Sequence, residues 1–464
     1  MRLLGVDFGT SNTAAMVATP DGRTRPLLFD GSPLMPSAVY LDPGGRLLVG
    51  RDAERTARLD PGRFEPNPKR RVDEGVVLLG GTEVPVARLV AAVLAQVLTE
   101  ARRSLGAAPD QVRLTHPERW GERRRAVLLE AARMAGLGTV RLIAEPVAAA
   151  SYYTAVLGSA LPVGRALAIY DLGGGTFDAA VVRRTPTGFE VLAEAGIADL
   201  GGLDFDQAIV EHLGRVYAAS HPQQWTRLVN PADSGDRRNR RMLYEDVRGA
   251  KEMLSRTAST DVHLPTLQAD AHLTRDELET LVRRYLEHTV LCLRQTVGQA
   301  RLAPAHLAGI FLVGGSSRIP LAAHLIHSGL GVAPTTLEQP ETVVVEGALY
   351  LDRPAPQAAG RSGAPQAAPP PRPAPRPAPP QSPPVLLRSV PAPQVRPAPA
   401  PVSPIAPPVS PGPAVQPTPL PPRLTNPVPA PPPTGRRVEP VMLTTIVVLA
   451  LVLVAFVILL AVVA

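Results

Sequence analysis

Along the first 350 residues the apolar positions keep two different periods. Two stretches, LLGVDFGTSNTAAMVA (3–18) and LAIYDLGGGTFDAAVV (167–182), each read as apolar strand, glycine-threonine turn, apolar strand. Asp7 and Thr10 of the first have matching places at Asp171 and Thr176 of the second. Between them the period becomes helical, in VARLVAAVLAQVLTEARRSL around 86–105 and GERRRAVLLEAARMAGL around 121–137. Strand-like runs, VRLTHP and VRLIAEP, separate the helices. This alternation predicts α/β lobes with helices covering mixed sheets. The echo of one hairpin in the other, ~165 residues on, predicts two similar lobes facing one another.

The pattern changes after residue 350. Leu351 to Pro440 holds 33 of the 54 prolines and almost no aromatic residue. Such a tract cannot bury enough apolar surface to offset chain entropy, so residues 351–440 are expected to be a disordered or polyproline-like tether. Val441 to Ala464 is 24 residues without a charge. At ~1.5 Å per residue that is long enough to span a ~30 Å hydrocarbon core. Arg436 and Arg437 stand just before it, which predicts a C-terminal transmembrane helix with the preceding chain in the cytoplasm. Met1-Arg2-Leu3-Leu4 runs directly into a strand, with no signal-peptide pattern. The expected organisation is therefore a folded α/β part at 1–350, a linker at 351–440 and a single-pass anchor at 441–464.

Charge narrows the function classes. The chain carries a net +7, and the same +7 is found from residue 351 onward, so the first 350 residues balance. The high pI thus belongs to the tail and gives the folded part no claim on nucleic acid. The single cysteine, Cys292 in TVLCL, excludes an intramolecular disulfide framework and reads as a buried structural thiol. Of 48 basic residues only two are lysine, Lys69 and Lys251. Arginine is a wide planar fork and lysine a compact point charge, so these two positions are candidates for a site that needs compactness.

The hairpin turns suggest phosphate chemistry. Gly9 and Gly173 to Gly175 let the backbone approach an anion closely, and the turn's N–H groups and hydroxyl supply donors. Asp7 and Asp171, just before the turns, suit a magnesium ion held through its waters. Two such hairpins from two lobes would clamp a nucleotide's phosphates from both sides. IFLVGGSSRIP (310–320) is a third glycine segment, following a strand and opening a helix.

GVDFGTSNT, IYDLGGGTFD, IAEPVAAA, DLGGLDFD and FLVGGSSRIP occur in that order, and together they resemble the ATPase domain of the seventy-kilodalton heat-shock (DnaK-type) chaperones over residues 1–350. The resemblance implies a two-lobed, actin-like ATPase fold with ATP and Mg2+ as cofactors. It implies that Asp7 and Asp171 organise the magnesium, and that Gly9, Thr10, Ser11 and Asn12, then Gly173, Gly174, Gly175 and Thr176, form the two phosphate loops. Thr176 would help place the γ-phosphate and attacking water, and Asp178 would stand near that water. Glu145 would link nucleotide state to lobe motion. Pro117 and Arg125 would be a proline switch and its arginine, lying 28 and twenty residues before Glu145. Gly201, Gly202, Gly314, Gly315, Ser316 and Arg318 would line the nucleoside. Lys69 would be the catalytic lysine, and Lys251 with Ser255 would reach the nucleoside. The chain departs from the family in having Arg248 where an acid is usual, and in passing at Leu351 into proline with no peptide-binding part. A small apolar island, PPVLLRSV (383–390), only slightly resembles the family's interdomain linker and reads as an incidental or docking motif.

The expected function is a membrane-anchored, chaperone-type ATP-binding protein that hydrolyses Mg-ATP and couples lobe closure to an unidentified protein partner, with the proline-rich tract one candidate for the contact. A nucleotide-sensing scaffold with little turnover, an actin-like filament former and a sugar kinase are the alternatives.

Overall fold

The computed structural model describes residues 1–351 except residue 160. The expected linker and transmembrane helix, 352–464, lie outside the described residues. Among the described residues no helix is long and apolar enough to cross a membrane.

Both predicted hairpins form, and each nucleates a sheet. Leu3–Phe8 pairs antiparallel with Asn12–Ala18, and Ala166–Leu172 with Phe177–Arg184. In each case the first strand also takes a later strand as a parallel neighbour: Gln111–His116 in the first sheet and Leu307–Val313 in the second. The first sheet continues through Val140–Ala144 on one side and Thr24–Pro26 on the other. The second runs Phe189–Ile197, Phe177–Arg184, Ala166–Leu172, Leu307–Val313, Pro334–Thr335. The same topology twice over is what the sequence echo predicts.

Each sheet has its own core. The helix Val86–Leu105, spanning the expected 86–105, buries Leu89, Val93, Leu94 and Val97 against Leu4, Val6 and Phe8 of the first sheet. Its period-3.6 apolar stripe faces the sheet, and Gly106 ends it in the left-handed conformation. The second expected helix is shorter, Glu122–Met134, because Gly136, at φ +74°, ends it. In the second lobe the long helices Gly202–Tyr217, Ser234–Leu254 and Arg275–Gln299 pack Phe205, Val247 and Leu286 around Tyr170 and Phe177. Cys292 lies on Arg275–Gln299 and is half-buried, less enclosed than its apolar surroundings in sequence suggest.

A third cluster joins the lobes. It gathers Ile143 from the first sheet, Leu167, Ile169 and Phe311 from the second, and Ala148 to Ala150 from the helix Glu145–Ala155. The short helix Val343–Ala348 closes over it. The approach is backbone-tight: a Cβ on Gly347 would lie 2.0 Å from Ala148 O. Glu145 is the first residue of the helix that passes through this junction.

Candidate functional site

The two hairpin turns meet at the lobe interface. A Cβ on Gly174 would fall 2.3 Å from Ser11 Oγ, and one on Gly175 2.7 Å from Thr10 Cγ2. Glycine is what lets the second turn come down on the first. Between and above them lies a cleft of about 570 Å³. Gly9, Thr10, Ser11 and Asn12 line it from one side, and Gly173, Gly174 and Thr176 from the other. Gly175 and Gly201 stand behind this lining. Gly202 N donates to Gly173 O (3.1 Å) and Leu203 N to Gly174 O (2.7 Å), so the DLGG segment braces the second turn.

Four carboxylates converge on the cleft floor: Asp7, Glu145, Asp171 and Asp178. Thr115 Oγ1 donates to Asp7 Oδ1 at 2.7 Å and fixes its rotamer. Burial raises the Asp171 pKa well above the usual carboxylate range; the negative charges of Glu145, Asp178 and Asp7 raise it further, while Lys69 opposes. Burial likewise pushes Glu145 up to about 7, with Lys69 opposing and Asp7 and Asp178 adding. Such crowding of like charge is what a divalent cation relieves.

Lys69 is carried in by a short 3-10 turn, Pro68–Arg71, whose Pro68 is buried. Its neighbours point elsewhere: Arg71 pairs with Glu65 (3.0 Å) and Glu74 (2.7 Å), and Arg70 reaches Asp199 of the second lobe at 3.5 Å. Lys69 alone turns inward. Its Nζ donates to Glu145 Oε1 at 3.1 Å and lies 5.4 Å from the centroid of the Trp120 ring. Burial works against the ammonium, but Glu145, Asp7 and Asp178 together outweigh it and raise its pKa.

The other lysine anchors the far end. Lys251 Nζ lies 2.7 Å from Asp206 Oδ1 and donates to Gly202 O at 2.7 Å, with both side chains buried. Burial raises the Asp206 pKa and Lys251 opposes the shift. Ser255, Gly314, Gly315, Ser316 and Arg318 line this end of the cleft. Gly314 has φ +81°, and a Cβ there would lie 2.5 Å from Asp171 Oδ1. Only glycine lets the chain turn past that carboxylate. Arg318 is tethered by Glu341 at 3.3 Å, and Arg248 by Glu252 at 3.1 Å.

Pro117 and Arg125 both act on His116. The Pro117 carbonyl stands 2.8 Å from His116 Nδ1 and accepts from Trp120 N at 3.0 Å. Burial lowers the His116 pKa, and the Arg125 charge lowers it further. Three residues at the site were not singled out from the sequence: Asp206, Arg119 and Trp120. For Asp206 a signal existed, since a buried lysine needs a counter-ion and DLGGLDFD offers three aspartates. For Arg119 and Trp120 there was none, because HPERW reads as an ordinary polar turn.

Two α/β lobes with the same strand order, closing hairpin turns on a shared cleft, are consistent with the actin-like ATPase fold. A family model described as "Hsp70 protein" matches residues 73–352. The chain is 33% identical over 372 residues to "Chaperone protein HscA homolog" of Acidithiobacillus ferrooxidans, covering 74% of this chain and 57% of that protein. To "Chaperone protein DnaK" of Thermotoga maritima it is 31% identical over 357 residues, covering 75% and 58%. The chain belongs to the Hsp70 family, and its described part is a chaperone-type ATP-binding domain. It spans a little under three fifths of the length of these relatives. ATP binding with Mg2+ is a general property of the family's ATPases.

Proposed function

We propose that this chain is a membrane-anchored Hsp70-type ATPase that binds Mg-ATP between its lobes, hydrolyses it, and reports nucleotide state to a protein partner through lobe closure. The observation that carries the reading is the convergence of both lysines and both glycine turns on one cleft. A protein that otherwise uses arginine for positive charge keeps its two lysines for the two ends of that cleft.

The residues fit the magnesium nucleotide. Among the described residues no three His, Cys, Asp or Glu side chains form a ready-made metal cage. Asp7 and Asp171 would hold the ion through its waters, and the ion would neutralise phosphate charge when bound. Thr10, Ser11 and Thr176 offer hydroxyls, and Gly174 its backbone N–H group, to the phosphate oxygens, while the Gly173 N–H closes the turn on Thr176 O at 3.0 Å. Lys69 supplies a compact cation where negative charge builds on the transferring group, which is the largest lever a site has on phosphoryl transfer. Glu145 holds Lys69 in place and sits at the start of the junction helix. A move of Lys69 toward phosphate is thereby felt where the lobes meet.

Single-turnover hydrolysis of bound ATP by wild type and Lys69→Ala tests the reading. A wild-type burst lost in the variant supports it, and binding without any burst reduces the protein to a nucleotide sensor. The anchor is tested by alkaline extraction of membranes: the full chain should stay with the lipid and a chain ending before Val441 should be released.

A further inference from the structure

Arg119 is not among the residues that line the cleft, yet it touches the chemistry. It follows the first-sheet strand Gln111–His116, and its Nε donates to Asp178 Oδ1, on the second-sheet strand Phe177–Arg184, at 2.5 Å. The pair is largely shielded, with side chains 27% and 22% exposed. A charge-assisted hydrogen bond of this kind is roughly twice as strong as a neutral one. The second lobe makes room for it. Gly196 stands directly opposite Asp178 in the sheet. A Cβ on Gly196 would lie 2.9 Å from Arg119 Nε and 2.8 Å from Asp178 Oδ1. The missing side chain is thus the slot in which the two partners meet. The next residue along, Trp120, carries its ring to Lys69. One dipeptide of the first lobe therefore contacts Asp178 with its first side chain and Lys69 with its second.

We propose that Arg119 is a cross-lobe positioning residue, which enters the slot at Gly196 and holds Asp178 in place for the attacking water, so that hydrolysis depends on the gap between the lobes. The role in hydrolysis rests on the ATPase reading above; the clamp itself does not. Asp178 lines the cleft floor among three other carboxylates and would be pushed away from them if left unpaired. With Arg119 bound to one oxygen, the carboxylate is held at the cleft it lines. Opening of the lobes withdraws the guanidinium and releases the carboxylate.

The test has two arms. Hydrogen exchange of the nucleotide-free protein reads the clamp: in Arg119→Met, amides of 177–180 and 118–120 should exchange about tenfold faster, while the helix Val86–Leu105 is unchanged. Unchanged exchange at 177–180 overturns the proposal. Single-turnover hydrolysis reads the role. Arg119→Met should slow it by about tenfold or more with ATP affinity held within about twofold. Arg119→Lys should recover part of the rate. In Asp178→Asn the Arg119→Met change should add almost nothing, since each removes the same contact. Full additivity, or wild-type turnover in Arg119→Met, overturns the proposal. If wild type itself fails to turn over while exchange at 177–180 still responds, the clamp stands and only the ATPase reading falls. Gly196→Ala, checked for a wild-type melting temperature, should reproduce the slower turnover without touching either partner's charge.

Discussion

Lys69 is one of two lysines against 46 arginines, and the fold gives it a place no arginine fills. Arg70 and Arg71, its neighbours, reach outward to acids, whereas Lys69 is packed between Glu145 and the Trp120 ring. A guanidinium is wider and fixes its donors in a plane, so it would have to displace Trp120 to keep the Glu145 contact. Lys69→Arg should therefore slow single-turnover hydrolysis by about tenfold or more while ATP affinity changes little; full activity would show that compactness is not what holds lysine here. Glu145 offers a second residue-scale outcome. Its folded pKa of about 7 lies above the ordinary 4.5, so the folded protein holds this proton more tightly than the unfolded chain. The stabilisation from that proton is complete below about pH 4.5 and is lost as pH rises through about 7. Glu145→Gln cannot ionise and escapes that loss. Thermal melts of the nucleotide-free protein should show wild type losing ground to Glu145→Gln across that window, and parallel curves would refute the assignment.

At the scale of elements, the hairpins and the junction helices do different work. Each hairpin is a local object, written in apolar runs around a glycine turn, and both were legible in the sequence for that reason. The junction is not local. Glu145–Ala155 packs on strands of both sheets and is capped by Val343–Ala348, nearly 200 residues later. No periodicity encodes that meeting, although Gly347 is its trace: there the backbone of one helix comes against Ala148 O of the other. Gly347→Ala must force the two apart, and overpacking of this kind typically costs about 1–3 kcal/mol. Urea denaturation should show that loss, and a stability within about 0.5 kcal/mol of wild type would mean the helices have slack.

At the scale of the whole molecule, two separate cores share one ligand cleft, so the nucleotide is expected to stabilise both lobes at once. Mg-ATP at about 100 times its dissociation constant should add about 2.7 kcal/mol to unfolding. The thermal transition should move as one, whereas a shift in only part of a split transition would show that one lobe alone holds the ligand. The sequence by itself determined the two-lobed α/β plan, the paired glycine turns and Lys69, Glu145 and Lys251 as cleft residues, because each is carried by a short, local pattern or by a rare residue type. It also determined the charge-free stretch 441–464, which lies outside the described residues. Only the tertiary structure decided which distant groups meet. Asp206 comes under Lys251, Arg119 reaches Asp178 in the slot left by Gly196, and Trp120 faces Lys69. Those pairings join residues up to about sixty positions apart; the Lys251 and Lys69 contacts need one lobe's core to form, and the Arg119–Asp178 pair exists only once both cores have formed and closed on each other.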